Sequence, residues 1–243
     1  MRKPAKGIKK RSKTIDATER IVVAQQYRKA VNPRTEHQKE YVKSIINNTI
    51  TFCQGVAGSG KTHIAIGMAL EYLLDEKVKK IVITRPVVES GEKIGYLPGS
   101  AEEKLHPYLL PLLDEVNHFI SSSQFATLKL NNKIDIVPLG LMRGRNFHNA
   151  FIVADECQNA SYQQLKMLLT RIGMNSKMVL TGDISQSDLY RDMQGGFHTM
   201  TEMLSDIDGI AIQRLDFTDI VRNPIIGNIL TKLDRFEHNT NKT

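Results

Sequence analysis

The sequence predicts an α/β fold built on a doubly wound, mainly parallel β-sheet that is flanked by helices. Six short apolar runs, each bounded by glycine, proline or charged residues, have the length and composition of buried strands. Helical hydrophobic patterns separate these runs, and such alternation favours parallel pairing. The predicted strands are 49–54, 80–84, 134–138, 151–154, 177–181 and 210–215. The predicted helices are 35–47, 61–74, 102–120, 161–172 and 223–236.

The chain length favours one main domain. With 243 residues, of which 41% are hydrophobic, the chain has enough apolar material for one sizeable core. We predict a single domain over residues 31–236, a polar arm over 1–30 and a frayed tail over 237–243. No apolar run reaches the ~18 residues of a membrane span, and no apolar signal core follows the basic start. Cys53 and Cys157 fall in or beside core strands, so we expect a cytoplasmic protein without a structural disulfide.

The positive charge is concentrated at the start of the chain. The net charge is +7, and the first 13 residues hold seven cations and no acid. The remaining 26 cations balance the 26 acids, so the predicted pI of 9.3 reflects an arm and not a basic globule. Such an arm suits a nucleic-acid backbone, but it is equally consistent with a solubilising terminus.

A phosphate-binding loop connects the first predicted strand to the following helix. Glycines let its backbone wrap around an anion, and the helix presents its positive end to phosphate. We expect Lys61 to reach the β- and γ-phosphates of ATP and the Thr62 hydroxyl to coordinate Mg²⁺. The loop residues assigned to ATP are Gly55, Val56, Ala57, Gly58, Ser59, Gly60, Lys61, Thr62 and the adjoining His63.

Two carboxylates follow the predicted strand 151–154. They are Asp155 and Glu156, and they are expected at the carboxyl edge of the sheet, where ligands of such folds bind. Asp155 would hold the metal, and Glu156 is the candidate general base for an attacking water, which separates a hydrolase from a kinase. The alternative is an acidic helix start that is favoured by the helix dipole.

A further strand, 177–181, also ends in polar residues. Gly182 and Asp183 follow it, and Gln186 comes shortly after. Gln186 is a candidate sensor of the γ-phosphate, as is Gln158 beside the acidic pair. The alternative is a plain turn, for which glycine and aspartate are the usual residues.

Several motifs, in order over residues 33 to 225, resemble those of the PhoH family of ATPases, relatives of the superfamily 1 helicases. Besides the loop and the acidic block Asp155-Glu156-Cys157-Gln158, these include Thr84-Arg85-Pro86, the segment 95–99 and the block 138–145. The resemblance implies a RecA-like P-loop NTPase. The third position of the acidic block is commonly alanine in related helicases, so Cys157 is a small departure.

The resemblance also implies roles for residues outside the loop. Gln38 resembles the glutamine that reads adenine through N6 and N7, although a solvated helix residue is the alternative. Thr84 and Arg85 resemble a block that grips a nucleic-acid backbone, for which arginine is well suited; a salt bridge from Arg85 to Glu89 or Glu92 is the alternative.

Three further arginines remain open to several roles. Arg143, Arg145 and Arg222 are candidates for phosphate contact, for γ-phosphate sensing or for plain surface charge. Arg143 and Arg145 are assigned to nucleic acid, and Arg222 ranks first as an arginine finger.

The single predicted domain has a consequence for assembly. Superfamily 1 helicases close a nucleotide cleft between two such domains, so here a neighbouring copy is the simplest second wall. We expect a homo-oligomer, and the resemblance implies a hexameric ring. The expected activity is Mg²⁺-dependent ATP hydrolysis coupled to single-stranded nucleic acid, with RNA favoured by resemblance alone. An ATP-controlled binding scaffold is the alternative.

Overall fold

The structure is a computed structural model, and it describes residues 29–87, 101–184 and 195–220 together with Gln186, Leu189 and Lys232; for 101–105 only the backbone is described. The predicted tail and Arg222 lie outside the described residues, as do the predicted arm apart from residues 29–30 and the last predicted helix apart from Lys232. So do Glu89 and Glu92.

Six parallel strands form one sheet in the order β3-β2-β4-β5-β1-β6. The predicted parallel sheet is therefore confirmed, and each strand lies within a residue of its predicted position. The strands are β1 Ile50–Gly55, β2 Lys80–Arg85, β3 Ile134–Pro138, β4 Ala150–Ala154, β5 Lys177–Gly182 and β6 Ile210–Leu215.

Helices cover both faces of the sheet, as the doubly wound prediction requires. The helices are α1 Glu36–Asn47, α2 Lys61–Leu74, α3 Ala101–Phe119, α4 Ser122–Leu130, α5 Tyr162–Leu169 and α6 Gly196–Met203. Short 3₁₀ turns are Leu139–Met142, Cys157–Asn159 and Phe217–Asp219.

Each face of the sheet packs its own hydrophobic cluster, because alternate strand residues point to opposite sides. Ile81 and Ile83 of β2 belong to the cluster that contains α1 to α4. Val82, between them, belongs to the cluster that contains α5 and α6. The strands are thus buried on both faces, which explains their nearly continuous apolar runs.

Two helices, α4 and α6, were missed from the sequence. A serine-rich start hides α4, yet Ser121 caps it in a box with Gln124. The helix α6 starts after Gly195, which has a φ of 82°, and a glycine pair normally indicates a turn. Both helices are short, so their hydrophobic periodicity is weak.

The topology gathers the predicted motifs at one edge of the sheet. The phosphate loop follows β1, Asp155 follows β4, and β5 lies between those two strands. Because all the strands are parallel, their carboxyl ends meet at this edge. Within the described residues, no helix is both long enough and apolar enough to cross a membrane.

Candidate functional site: a phosphate-loop pocket

The loop between β1 and α2 has the backbone of an anion cradle. Gly58 and Gly60 have φ angles of 84° and 90°, in the left-handed region where a side chain is strained. Gly60 precedes the first residue of α2 and also lies against Gln38, whose Nε2 would be 3.2 Å from an added Cβ. The backbone conformation therefore favours glycine at this position, and an added Cβ would also press on the Gln38 amide.

Lys61 lies over the loop that precedes it. Its ammonium donates to the carbonyl oxygens of Gly55 at 2.5 Å and Val56 at 2.8 Å. The Ser59 hydroxyl also donates to Val56, at 2.8 Å, and Ser59 is fully buried. The loop is thus closed by its own side chains, with the lysine charge at its centre.

Two hydroxyls from different segments converge on one carboxylate oxygen. Asp155 Oδ1 accepts from the Thr62 hydroxyl at 2.6 Å and from the Thr181 hydroxyl at 2.7 Å. Asp155 is only 5% exposed, so these contacts fix its orientation. Hydroxyl and carboxylate oxygens are the ligands that Mg²⁺ prefers. The predicted pair Thr62 and Asp155 therefore fits a magnesium site.

Glu156 has donors on both of its carboxylate oxygens. Arg85 Nη2 is 3.2 Å from Oε1, and Gln158 Nε2 donates to Oε2 at 2.5 Å. The Glu156 backbone is left-handed, with a φ of 53°, which is uncommon for a residue other than glycine. In the described part of the chain, Arg85 thus pairs with the candidate base, a partner that the sequence did not indicate.

The phosphate loop and the acidic pair line a pocket of about 670 Å³, within the size range of small-molecule sites. Lys61, Thr62, Asp155 and Glu156 surround one part of it. A second part is lined by residues of α3 and of the segment before α1, including Asn32, Arg34, Glu115, His118 and Phe119. The pocket therefore extends from the phosphate loop to α3 and to the segment before α1.

His63 connects the phosphate loop to α3. Its Nδ1 is 2.5 Å from Glu115 Oε1, and its ring centroid is 4.5 Å from that of Phe119. It also meets the edge of the His118 ring at 5.6 Å. No signal in the sequence marks the three α3 residues, because they reach the pocket only through packing of α3 on α2.

Gln38 lines the pocket and its amide contacts three backbone groups, so the predicted contact with adenine stays a prediction. Gln38 Oε1 accepts from the Arg34 N–H at 2.8 Å, while Nε2 donates to Ser59 O at 2.9 Å and Asp219 O at 3.3 Å. An amide has two N–H donors, and both are used. The observed role of Gln38 is to tie α1 to the loop and to the turn Phe217–Asp219.

The residues predicted to contact nucleic acid have different surroundings. Thr84 is fully buried, and its hydroxyl has no hydrogen-bond partner among the described residues. Thr84 is part of the buried portion of β2 in this structure, and its assignment to nucleic acid stays a prediction. Arg143 is exposed. Arg145 donates to Asp135 at 2.8 Å and lies over the Phe147 ring, so its charge is already paired.

Two predicted catalytic residues are not placed in the pocket. Gln186 is exposed and is not among the pocket-lining residues; its backbone N–H donates to Asp183 O at 3.2 Å. Arg222 lies outside the described residues. By contrast, the sequence did not single out the Thr181 hydroxyl as a contact of Asp155, although a polar residue at a strand end was the available signal.

The fold and the pocket define a P-loop nucleotide-binding protein: a parallel sheet with the phosphate loop after β1 and an acidic pair after β4. A family model described as "PhoH-like protein" matches residues 30–234. The chain therefore belongs to the PhoH-like family.

Curated relatives agree with this assignment. A PhoH-like protein of Synechocystis is 40% identical over 91% of this chain and 68% of its own length. A Bacillus subtilis PhoH-like protein is 42% identical over 85% of this chain and 65% of its own. Protein PhoH of Escherichia coli is 37% identical over 79% of this chain and 55% of its own length. The chain thus spans about half to two thirds of the length of these relatives.

Two solved structures share the general outline at low identity. The UvsW helicase from bacteriophage T4 has a TM-score of 0.48 and 11% identity, over 83% of this chain and 68% of its own. A Sulfolobus solfataricus SWI2/SNF2 ATPase core in complex with dsDNA has a TM-score of 0.45 and 14% identity, over 77% of this chain and 46% of its own. Similarity at this level carries no inference about function.

Proposed function

We propose that this protein is a Mg²⁺-dependent ATPase of the cytoplasm that couples hydrolysis to binding, translocation on or unwinding of single-stranded nucleic acid. The observation that carries the ATPase proposal is the 2.6 Å contact between Thr62 Oγ1 and Asp155 Oδ1, in a pocket that Lys61 and Glu156 also line. A cation for phosphate, a pair of metal ligands and a base are the parts that phosphoryl transfer to water requires.

Each residue has one task in this proposal. The Lys61 ammonium binds the β- and γ-phosphate oxygens, and the loop N–H groups hold them in place. Thr62 and Asp155 would hold Mg²⁺, which neutralises charge on the phosphates when bound. Thr181 keeps Asp155 in position through its 2.7 Å hydrogen bond. Glu156 accepts a proton from the attacking water through a carboxylate oxygen.

The nucleic-acid part of the proposal rests on positive charge and on family resemblance. Arg85 and Arg143 lie at or beyond the carboxyl ends of β2 and β3, and the basic arm supplies further cations. RNA is favoured over DNA by resemblance alone. A homo-oligomer, proposed as a hexameric ring, would supply the second wall of the pocket from a neighbouring copy.

The test is the ATPase rate with and without poly(U) and oligo(dT), at low and moderate salt. Stimulation by either polymer supports a nucleic-acid-coupled enzyme, and the larger effect identifies the sugar. Hydrolysis that neither polymer changes would favour a scaffold whose ATP cycle times the binding of a protein partner. Absence of hydrolysis with Mg²⁺ present would overturn the ATPase proposal itself.

A further inference from the structure

The candidate base of this pocket is held by two donors at once. Arg85 is 3.2 Å from Glu156 Oε1, and Gln158 occupies Oε2 at 2.5 Å. A general base takes a proton through an oxygen that lies within hydrogen-bond reach of the water. Each carboxylate oxygen has two acceptor sites, and Arg85 takes one of those on Oε1, so the ion pair competes with a water for that oxygen.

The strand order brings Arg85 and Glu156 together. The neighbouring strands β2 and β4 place Thr84 level with Ala154, and the Asp155 N–H donates to Thr84 O at 2.9 Å. Arg85 is the last residue of β2, and Glu156 is two residues beyond the end of β4. The left-handed backbone of Glu156 interrupts the strand direction at this point. Such an unusual conformation persists only where the surrounding contacts hold it.

The ion pair is accessible to a competing anion. The Arg85 and Glu156 side chains are 23% and 36% exposed. An ion pair this exposed is weak. A guanidinium binds a phosphate in the same forked geometry as a carboxylate, so phosphate is a chemically matched competitor. Arg143, exposed in the loop that follows β3 beside β2, adds a second cation at this edge.

We propose that Arg85 is a positioning residue that keeps Glu156 Oε1 in an ion pair, in competition with the attacking water, until a backbone phosphate of a nucleic-acid strand takes over the guanidinium. The exchange leaves Arg85 with one anionic partner before and after, and it frees Glu156 Oε1 to accept a proton. Gln158 keeps the carboxylate oriented through Oε2. This inference rests on the proposed function, and it names how a bound strand regulates the site: binding removes a contact from the base.

The test is the ATPase activity of Arg85→Ala without nucleic acid, as separate kcat and KM for ATP. We expect basal kcat to rise about two- to fivefold, the size that loss of a weak exposed ion pair allows. The KM for ATP should stay unchanged, and poly(U) or oligo(dT) should add little further. Arg85→Lys, which keeps a cation near Glu156, should restore a low basal rate. The double variant Arg85→Ala with Glu156→Gln should lose the gain, because the gain acts through Glu156.

Arg214→Ala is the matched control. Arg214 is an exposed arginine on the edge strand β6, at the other side of the sheet, and has no ion pair among the described residues. Its removal should leave basal kcat unchanged. Urea midpoints and binding of a fluorescent ATP analogue verify that each variant is folded, and Arg85→Gln provides a second variant with a side chain of similar shape.

The outcomes separate this inference from the proposed function. If the strand stimulates wild-type protein but Arg85→Ala and Arg85→Gln show basal kcat at or below wild type, Arg85 is only a strand contact and the inference is overturned. If neither polymer changes the wild-type ATPase rate, the nucleic-acid part of the proposed function is wrong. The proposed transfer of Arg85 from Glu156 to a strand phosphate is then wrong as well. A raised basal kcat together with lost stimulation supports the exchange.

Discussion

Asp155 receives hydroxyl hydrogen bonds from two segments, Thr62 at the start of α2 and Thr181 in β5. Both hydroxyls donate to the same oxygen, Oδ1, so Oδ2 remains outside this pair of contacts. The two adjacent acids have different partners: Asp155 accepts from two neutral hydroxyls, whereas Glu156 contacts the charged Arg85 and the neutral Gln158. This difference is consistent with a ligand-holding role for Asp155 and a catalytic role for Glu156.

Lys61 and Glu156 should fail in different ways when substituted. Lys61→Ala should lose most nucleotide binding, since the cation that meets the phosphates is gone. Glu156→Gln should keep ATP binding and lose turnover by ~10² or more, because an amide cannot take the proton from water. Binding of a fluorescent ATP analogue and single-turnover hydrolysis check both. Turnover of Glu156→Gln at the wild-type level would remove Glu156 from the catalytic role.

His37 should make stability depend on pH. The hydrogen bond to Asp219 and the charge of that carboxylate raise the pKa of His37 above its usual 6.5. The folded state therefore holds the proton more tightly than the unfolded state. The resulting stabilisation is complete below about pH 6.5 and is lost as pH rises through the raised pKa. Urea midpoints across that range should fall.

A histidine pair provides the control for that slope. His37→Gln should flatten it. His148→Gln, at an exposed histidine without an acidic partner in the described part of the chain, should not. An unchanged slope in His37→Gln would assign the pH dependence to another group.

At the scale of elements, one lysine joins β5 to the end of α1. The Lys177 ammonium donates to the carbonyl oxygens of Ile45, Ile46 and Asn48 at 2.7 to 2.9 Å. Those carbonyls have no partners within the helix, and a cation there also favours the helix dipole. Burial lowers the pKa of Lys177, and the carbonyl contacts offset the cost of burying its charge.

Lys177→Met should therefore destabilise the fold by about 1 to 2 kcal/mol, the range for charged hydrogen bonds and a helix-end charge. Equilibrium urea unfolding measures the change. Lys79→Met, at an exposed lysine in the connection between α2 and β2, is the control and should have an effect near zero. A loss no larger than that of the control would show that solvent replaces these contacts at no cost.

At the scale of the whole molecule, the charge excess of the chain is confined to its first 13 residues. Deletion of residues 2–13 should leave the basal ATPase intact and weaken binding to single-stranded nucleic acid, since up to seven phosphate contacts are lost. The slope of log affinity against log salt should become shallower. Fluorescence anisotropy with labelled oligonucleotides measures both. Unchanged affinity and slope would leave the arm a solubilising terminus.

The proposed ring makes a prediction about Arg222. If Arg222 completes the pocket of a neighbouring copy, a mixture of inactive Arg222→Ala and Glu156→Gln should regain activity, because some sites pair an intact Glu156 with an intact Arg222. A finger of this kind is worth about 10³ or more in turnover. Light scattering confirms assembly of the mixture. ATPase that stays at the level of the separate variants would discard the trans assignment and direct attention to Arg143 and Arg145.

The sequence by itself determined the sheet, the phosphate loop and the acidic pair. Gly58, Gly60 and Lys61 belong to one short loop. Their relative positions in space therefore follow from their spacing in the sequence. The apolar runs bounded by turn residues likewise indicate strands wherever both faces are buried. These features depend on residues that are close in sequence, so they can be predicted from the sequence.

The tertiary structure decided which side chains meet. Arg85 pairs with Glu156 because β2 lies beside β4, and Thr181 reaches Asp155 because β5 lies between β4 and β1. The pairing of β2 with β4 and that of β5 with β1 do not follow the chain order of the strands, whereas that of β4 with β5 does. Burial of Thr84 and the full use of the Gln38 donors depend on the same packing. Motifs specify chemical groups, whereas the strand order determines the distances between them, and so which of them can act together.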